Sequence, residues 1–170
     1  DLGSSNVIIA ERGKGVVFNE PAVLAVNHDT RNIISIGLEA YQMTGREPSG
    51  ITVVRPLQKG TIQDFDMLSI LLNYFVKRVV GKHLFNRPRA LMSVSATANE
   101  IEKRQLILGM LEAGTRRTQM IERPLAAAIG AGVPIHEVTG RMVADIGGAT
   151  TDIAVLSSGE IMARSILDTG

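Results

Sequence analysis

Two short stretches of similar composition, one near each end of the chain, constrain its fold more than any other feature. The later stretch, Asp145 to Asp152, reads Asp-Ile-Gly-Gly-Ala-Thr-Thr-Asp, and the chain opens with Asp-Leu-Gly-Ser-Ser-Asn from Asp1 to Asn6. Each stretch is followed by an apolar run. The pattern predicts a strand, a tight turn and a second strand. Two copies predict two turns that face each other across one ligand.

Turns of this composition suit phosphate binding, because backbone N–H groups without bulky side chains can approach an anion closely. For either stretch alone, an ordinary hairpin turn is the alternative. Walker loops and Rossmann turns pass from strand into helix, and neither GxxxxGK[ST] nor GxGxxG is present. The hairpin backbone itself would therefore supply the donors. The candidate phosphate-binding residues are Gly3, Ser4, Ser5, Asn6, Gly147, Gly148, Ala149 and Thr150.

Asp1 and Asp145 occupy the same place in the two turns. Mg²⁺ keeps several of its waters and is typically held by one or two carboxylates together with phosphate oxygens. The matched pair therefore predicts a Mg–nucleotide site in which both aspartates hold the metal through water. The alternative is that each aspartate only caps its own turn.

Composition excludes several classes of function. The 18 lysines and arginines balance 17 aspartates and glutamates, so we expect no nucleic-acid partner. The absence of cysteine excludes disulfides and thiolate metal sites. No signal peptide or apolar run of about 18 residues is present, which predicts a soluble, cytoplasmic protein. The chain starts and stops inside turn motifs, which predicts a piece of something longer.

The order of elements predicts an α/β fold, a mixed sheet flanked by helices. Residues 20–54 read as a small α+β insertion. A long helix from Asp66 to Gly81 has one apolar face, and a capping box from Thr97 to Glu100 is predicted to open a second helix. Three strands, separated by the second glycine turn and a Ser-Ser-Gly turn, end the chain.

A third segment, Ile121 to Gly132, contains Glu-Arg-Pro and then an alanine-rich helix. With the two turns and the stretches Lys14 to Pro21 and Arg55 to Phe65, it resembles the MreB-type bacterial actins of the actin–Hsp70–sugar kinase superfamily. The resemblance covers essentially the whole chain. It implies a ribonuclease-H-like actin fold in two halves, with ATP and Mg²⁺ bound between them.

The same resemblance implies a division into subdomains. Residues 1–19 and 55–137 would form subdomain IA, residues 20–54 the inserted subdomain IB, and residues 138–170 the start of an incomplete subdomain IIA. The adenosine-binding motif of the family would lie beyond Gly170. The chain by itself is therefore expected to bind ATP poorly.

Three positions depart from the family pattern. The family's water-activating glutamate directly precedes the proline of the connecting helix, where this chain has Arg123. Glu122 lies one residue earlier and would point to the opposite face of an extended segment, so it is not an obvious substitute catalytic residue. Because a guanidinium cannot accept a proton from water, slow or absent hydrolysis is expected. Ala149 replaces the third glycine of the family pattern, and alanine would be strained there if the position needs positive φ. Val7 replaces a threonine.

The loop from Gly81 to Arg89 places Leu84 and Phe85 among basic residues. Such a loop can insert its apolar side chains into a bilayer while its cations meet anionic head groups. Alternatively, both side chains fold back onto the core. The resemblance favours membrane insertion, because the membrane-insertion loop of the family falls here.

The function implied is an ATP-binding cytoskeletal protein that self-assembles into protofilaments at the inner face of the plasma membrane. There it would work with the cell-wall elongation machinery to set rod shape. Whether it is an ATPase is left open by Arg123. The alternatives are a non-hydrolysing paralogue that regulates or co-assembles with another filament, an Hsp70-like chaperone ATPase and a sugar kinase.

Overall fold

The computed structural model describes residues 1–80, 87–96 and 98–170, and it contains both helices and strands. In chain order the elements are β1 (Asn6–Glu11), β2 (Gly15–Pro21), β3 (Leu24–Asn27), β4 (Ile33–Ile36), α1 (Leu38–Gln42), β5 (Ile51–Val54), β6 (Leu57–Gln58), β7 (Thr61–Ile62), α2 (Phe65–Val80), β8 (Arg89–Val94), α3 (Glu100–Glu112), β9 (Arg117–Glu122), α4 (Arg123–Gly130), β10 (Arg141–Ile146), β11 (Thr151–Ser157) and β12 (Glu160–Leu167).

The strands pair both antiparallel and parallel. β1 and β2 form an antiparallel hairpin, whereas β8 and β9 pair in parallel, with α3 as the crossover between them. β10, β11 and β12 form an antiparallel sheet in that order, and β3 lies between β4 and β5 in a small separate sheet. This mixture agrees with the predicted mixed α/β fold.

The main core lies under α2, whose apolar face follows the periodicity predicted from the sequence. The predicted residues Leu68, Leu71, Leu72 and Phe75 are buried, and Val79 is partly buried. They pack with buried residues of the surrounding strands and of α3. Within the described residues, no helix is long and apolar enough to span a membrane.

Residues 20–54 contribute a second, smaller core cluster. It contains Val23, Ala25 and Ala40, with Met43, Ile51 and Val53 packed against it. The cluster lies between the small sheet and α1.

The predicted capping box of α3 is wrong by two residues. The N-cap of α3 is Asn99, whose side chain accepts a hydrogen bond from the backbone N–H of Glu102, while the Glu102 carboxylate accepts from the Asn99 N–H. Glu100 is the first helical residue. The sequence contains two overlapping candidates, and asparagine is as good an N-cap as threonine, so spacing alone did not decide between them.

Candidate functional site

The two glycine turns have the same local geometry. In the first, the N–H of Gly3 donates to the carbonyl of Asn6 at 2.9 Å, and in the second the N–H of Gly147 donates to the carbonyl of Thr150, also at 2.9 Å. Each hydrogen bond closes a four-residue turn between antiparallel strand segments. The predicted strand–turn–strand order is confirmed for the second turn, whereas before the first turn Leu2 forms only an isolated antiparallel bridge with Val7.

The two turns also meet. A Cβ atom added to Gly148 would lie 2.2 Å from Oγ and 3.0 Å from Cβ of Ser5, so the second turn approaches the first to the limit that glycine allows. Together they line a cleft of about 440 Å³. All ten residues predicted to bind phosphate or metal line this cleft, and its other lining residues are Ile8, Arg123, Ile146 and Asp152.

Close contact, and not positive φ, is what requires glycine in these turns. A Cβ at Gly3 would lie 3.0 Å from the Asn6 carbonyl oxygen, and one at Gly147 would lie 3.0 Å from the Thr150 carbonyl oxygen. Among the described residues other than glycine, positive φ occurs at Arg31, Lys59 and Ser158. Ala149 does not have positive φ, so the strain that a positive φ would cause at this position is absent.

The turn residue Ser4 is held by its neighbours. Its hydroxyl accepts a hydrogen bond from the N–H of Gly60 at 3.3 Å, and its carbonyl accepts from Nη1 of Arg55 at 3.2 Å. Gly60 lies between β6 and β7, a short hairpin that the sequence analysis missed because its strands are only two residues long. Val7, immediately after the turn, is buried in the main core.

Asp1 and Asp145 both line the cleft, and their environments differ. Oδ1 of Asp1 accepts a hydrogen bond from the Ser93 hydroxyl at 2.6 Å. Burial raises the pKa of Asp145, an effect that Arg123 partly offsets and Asp152 reinforces. Within the described residues, no group of three or more acidic, histidine or cysteine side chains could enclose a metal ion. Two carboxylates in one cleft with the two turns nevertheless fit a hydrated Mg²⁺, which needs few protein ligands.

Arg123 lies between the two turns. It is the first residue of α4, and its Nη2 donates to the carbonyl of Leu2 at 3.0 Å. Its Nη1 donates to Oδ2 of Asp152 at 3.3 Å, and its Nε lies 3.6 Å from Oδ1 of Asp1. Glu122 points elsewhere and forms an ion pair with Arg164 on β12 at 3.0 Å. The expectation that these neighbours take opposite directions agrees with the structure.

Asp152 is the residue of the cleft that sequence analysis missed. Its carboxylate is only 2% exposed and accepts hydrogen bonds from the Ser95 hydroxyl at 3.3 Å, the Ala96 N–H at 3.4 Å and Arg123. A charged residue this deeply buried needs such partners. The available signal was an aspartate inside the otherwise apolar and small-residue strand β11.

The sequence and the fold both match those of known proteins. The MreB/Mbl protein family profile matches residues 1–170. The chain belongs to the MreB/Mbl family. It is 41% identical to the cell shape-determining protein Mbl of Bacillus cereus over 165 residues, covering 97% of this chain and 50% of Mbl. It is 40% identical to the cell shape-determining protein MreB of Escherichia coli over 172 residues, covering 98% of this chain and 50% of MreB.

Solved structures confirm the actin-like fold of this MreB/Mbl chain. Spiroplasma citri MreB5 bound to ADP superimposes with a TM-score of 0.90 at 34% identity, and its AMPPNP complex with 0.89. Each comparison covers 99% of this chain and 50% of MreB5. The MamK double helical filament shares the fold, with a TM-score of 0.77 at 23% identity over 99% of this chain and 52% of MamK. The chain thus spans about half the length of these relatives.

Leu84 and Phe85, the predicted membrane-inserting pair, lie outside the described residues. The flanking cations Arg87 and Arg89 are described, and both are exposed. The membrane assignment therefore stays a prediction.

Proposed function

We propose that this chain is the phosphate-binding part of an ATP-dependent, actin-like cytoskeletal protein. The observation that carries the proposal is the direct approach of Gly148 to Ser5, which brings two equivalent turns to one cleft. Phosphates bound there would accept hydrogen bonds from backbone N–H groups of both turns. The MreB5 structures, which are bound to ADP and AMPPNP, support a nucleotide as the ligand.

Within this proposal, Asp1 and Asp145 orient the waters of a bound Mg²⁺, which would supply charge neutralisation at the phosphates. Arg123 occupies the position where the resemblance places a water-activating glutamate. A guanidinium has five N–H donors and no acceptor, so it cannot take a proton from water. We therefore propose that nucleotide is bound but hydrolysed slowly or not at all.

The proposed cellular role is assembly into filaments on the inner face of the plasma membrane, in contact with the cell-wall elongation machinery. The names of the MreB and Mbl relatives, which are cell shape-determining proteins, support this role. Nucleotide would act by favouring the closed arrangement of the two halves, and a ligand can shift that equilibrium only through differential affinity. The subdomain boundaries near residues 20, 55 and 138 are part of the same proposal.

Arg123 favours a second candidate, a non-hydrolysing paralogue that regulates or co-assembles with another filament. The family match over the whole chain favours either of these roles over an Hsp70-like chaperone or a sugar kinase. The two surviving candidates differ in whether the protein assembles alone.

Electron microscopy and vesicle sedimentation of the full-length protein test this proposal. With ATP and anionic vesicles, the main proposal predicts filaments on the membrane, whereas the paralogue would form them only with a second MreB. The double variant Leu84→Ser/Phe85→Ser should still bind nucleotide but lose vesicle binding. Sedimentation equal to that of the wild type would reject the role of this loop.

A further inference from the structure

Arg123 is a cation fixed inside the cleft, where it joins the two turns. Its Nη2 donates to the carbonyl of Leu2, which immediately precedes the first turn, and its Nη1 donates to Asp152, which follows the second. Only 12% of the side chain is exposed. Five donors in a rigid planar group allow one guanidinium to hold several oxygens at once. The charge therefore stays in place when no ligand is present.

The same side chain has an unused hydrogen-bond donor. Within the described part of the chain, the buried Nε of Arg123 has no hydrogen-bond partner. Oδ1 of Asp1 lies 3.6 Å away, beyond hydrogen-bond distance, and already accepts from Ser93. A buried N–H group without an acceptor costs free energy. The guanidinium therefore keeps one donor that the described protein does not use, and a ligand oxygen in the cleft would reach it only after a shift of the side chain.

The charge balance of the cleft indicates what Arg123 does for such a ligand. Three carboxylates, Asp1, Asp145 and Asp152, line the cleft with this one guanidinium, which leaves a net charge of −2. An acidic residue at position 123 would make it −4. The difference of two unit charges equals the charge of one Mg²⁺. An anionic polyphosphate is repelled by either arrangement, and less by the one with arginine.

We propose that Arg123 is a built-in countercation for the polyphosphate of a nucleotide, so that nucleotide binding in this cleft depends less on Mg²⁺ than it would without this charge. The inference rests on the proposed nucleotide site and specifies how its charge is balanced. Arg123 supplies part of the positive charge that the divalent ion would otherwise supply. It also keeps the two turns at binding distance before the ligand arrives.

Titration of the full-length protein with a fluorescent ADP analogue tests this inference, because ADP separates binding from hydrolysis. The dissociation constant is measured with excess Mg²⁺ and with EDTA, and the ratio of the two reports the dependence on Mg²⁺. The ratio for Arg123→Gln is expected to exceed the wild-type ratio by at least about tenfold, since a unit charge a few ångströms from the phosphates is lost. Arg123→Lys keeps the charge and should restore most of the wild-type ratio.

Arg164→Gln is the matched control, because it neutralises an arginine whose ion pair with Glu122 lies outside the lining of the cleft. Its ratio should equal that of the wild type. An equal ratio in wild type and Arg123→Gln would overturn the inference and leave the nucleotide site standing. A ratio for Arg123→Lys that exceeds the wild-type ratio by about tenfold would do the same even if Arg123→Gln did not fold, because lysine keeps the charge. Failure of every variant to bind ADP in either condition would overturn the proposed function and this inference with it.

Discussion

The contact between Gly148 and Ser5 predicts a specific loss of nucleotide affinity on Gly148→Ala. The new Cβ would lie 2.2 Å from the Ser5 hydroxyl and 3.0 Å from Ser5 Cβ. Rotation of Ser5 removes the first clash at a cost of about 0.5–1.5 kcal/mol. The second remains unless the turns separate by a few tenths of an ångström. Overpacking of this kind costs about 1–3 kcal/mol, which corresponds to a dissociation constant larger by roughly 5- to 150-fold.

The assay is titration of the full-length protein with a fluorescent ATP analogue, combined with a double-mutant cycle. Ser5→Gly removes both atoms that the new Cβ meets, so Gly148→Ala should cost much less in that background. The coupling energy of the cycle should be about 1–3 kcal/mol. Gly130→Ala is the matched control, because a Cβ at Gly130 meets no atom within 4 Å. It should change the dissociation constant by less than about twofold.

Two results would refute this reasoning about the turns. Wild-type affinity in Gly148→Ala would show that the bound state does not hold the turns at the observed distance. Equal losses from Gly148→Ala with and without Ser5→Gly would show that the cost arises from a contact other than the one with Ser5.

Three further predictions concern charged residues of the cleft. Arg123→Glu should hydrolyse ATP faster than the wild type, because a carboxylate can accept a proton from water; phosphate release measures the rate. Asp152→Ala should lower the free energy of unfolding by about 3–5 kcal/mol in urea titration, since it leaves the buried Arg123 without its main partner. Asp145→Asn should raise the free energy of unfolding at neutral pH, because burial raises the pKa of Asp145 and makes its ionised form costly in the folded protein.

The pH dependence of Asp145 follows from the sign of its shift. The folded protein binds the proton of Asp145 more tightly than the unfolded chain, so this residue lowers the free energy of unfolding as pH rises through the raised pKa. The gain in Asp145→Asn should therefore shrink as pH falls toward 3.8, the ordinary value. An increase in the free energy of unfolding that is the same at neutral pH and near pH 3.8 would contradict this account.

The other two predictions have their own controls. Asp168→Ala removes an exposed partner of Lys59 and should change the free energy of unfolding by less than about 1 kcal/mol. A similarly small effect of Asp152→Ala would show that the buried ion pair is not needed for stability. A wild-type rate equal to that of Arg123→Glu would show that hydrolysis does not depend on a carboxylate at this position.

The turns were predictable from the sequence because their geometry is local. Small residues and an aspartate within four to six positions define each turn, and the second copy indicated that the two act together. The apolar face of α2 was predictable for a similar reason, since its burial follows a helical repeat. The N-cap of α3 could not be predicted in this way, because Asn99 and Thr97 both fit the local pattern.

The role of Asp152 could not be predicted from local pattern, because its partners come from distant parts of the chain. Ser95 and Ala96 follow β8, and Arg123 begins α4, so only the folded arrangement brings them to one carboxylate. Arg123 was noticed in the sequence because it stands where the family has a water-activating glutamate. Its contacts with Leu2 and Asp152 across the two turns appear only in three dimensions.

The central claim, that two facing turns bind the phosphates of a nucleotide, is tested most directly by a structure of the full-length protein with AMPPNP and Mg²⁺. The account predicts phosphate oxygens within about 3.2 Å of backbone nitrogens of both turns, in residues 3–6 and 147–150. Phosphates in contact with only one turn, or a nucleotide bound outside this cleft, would contradict it.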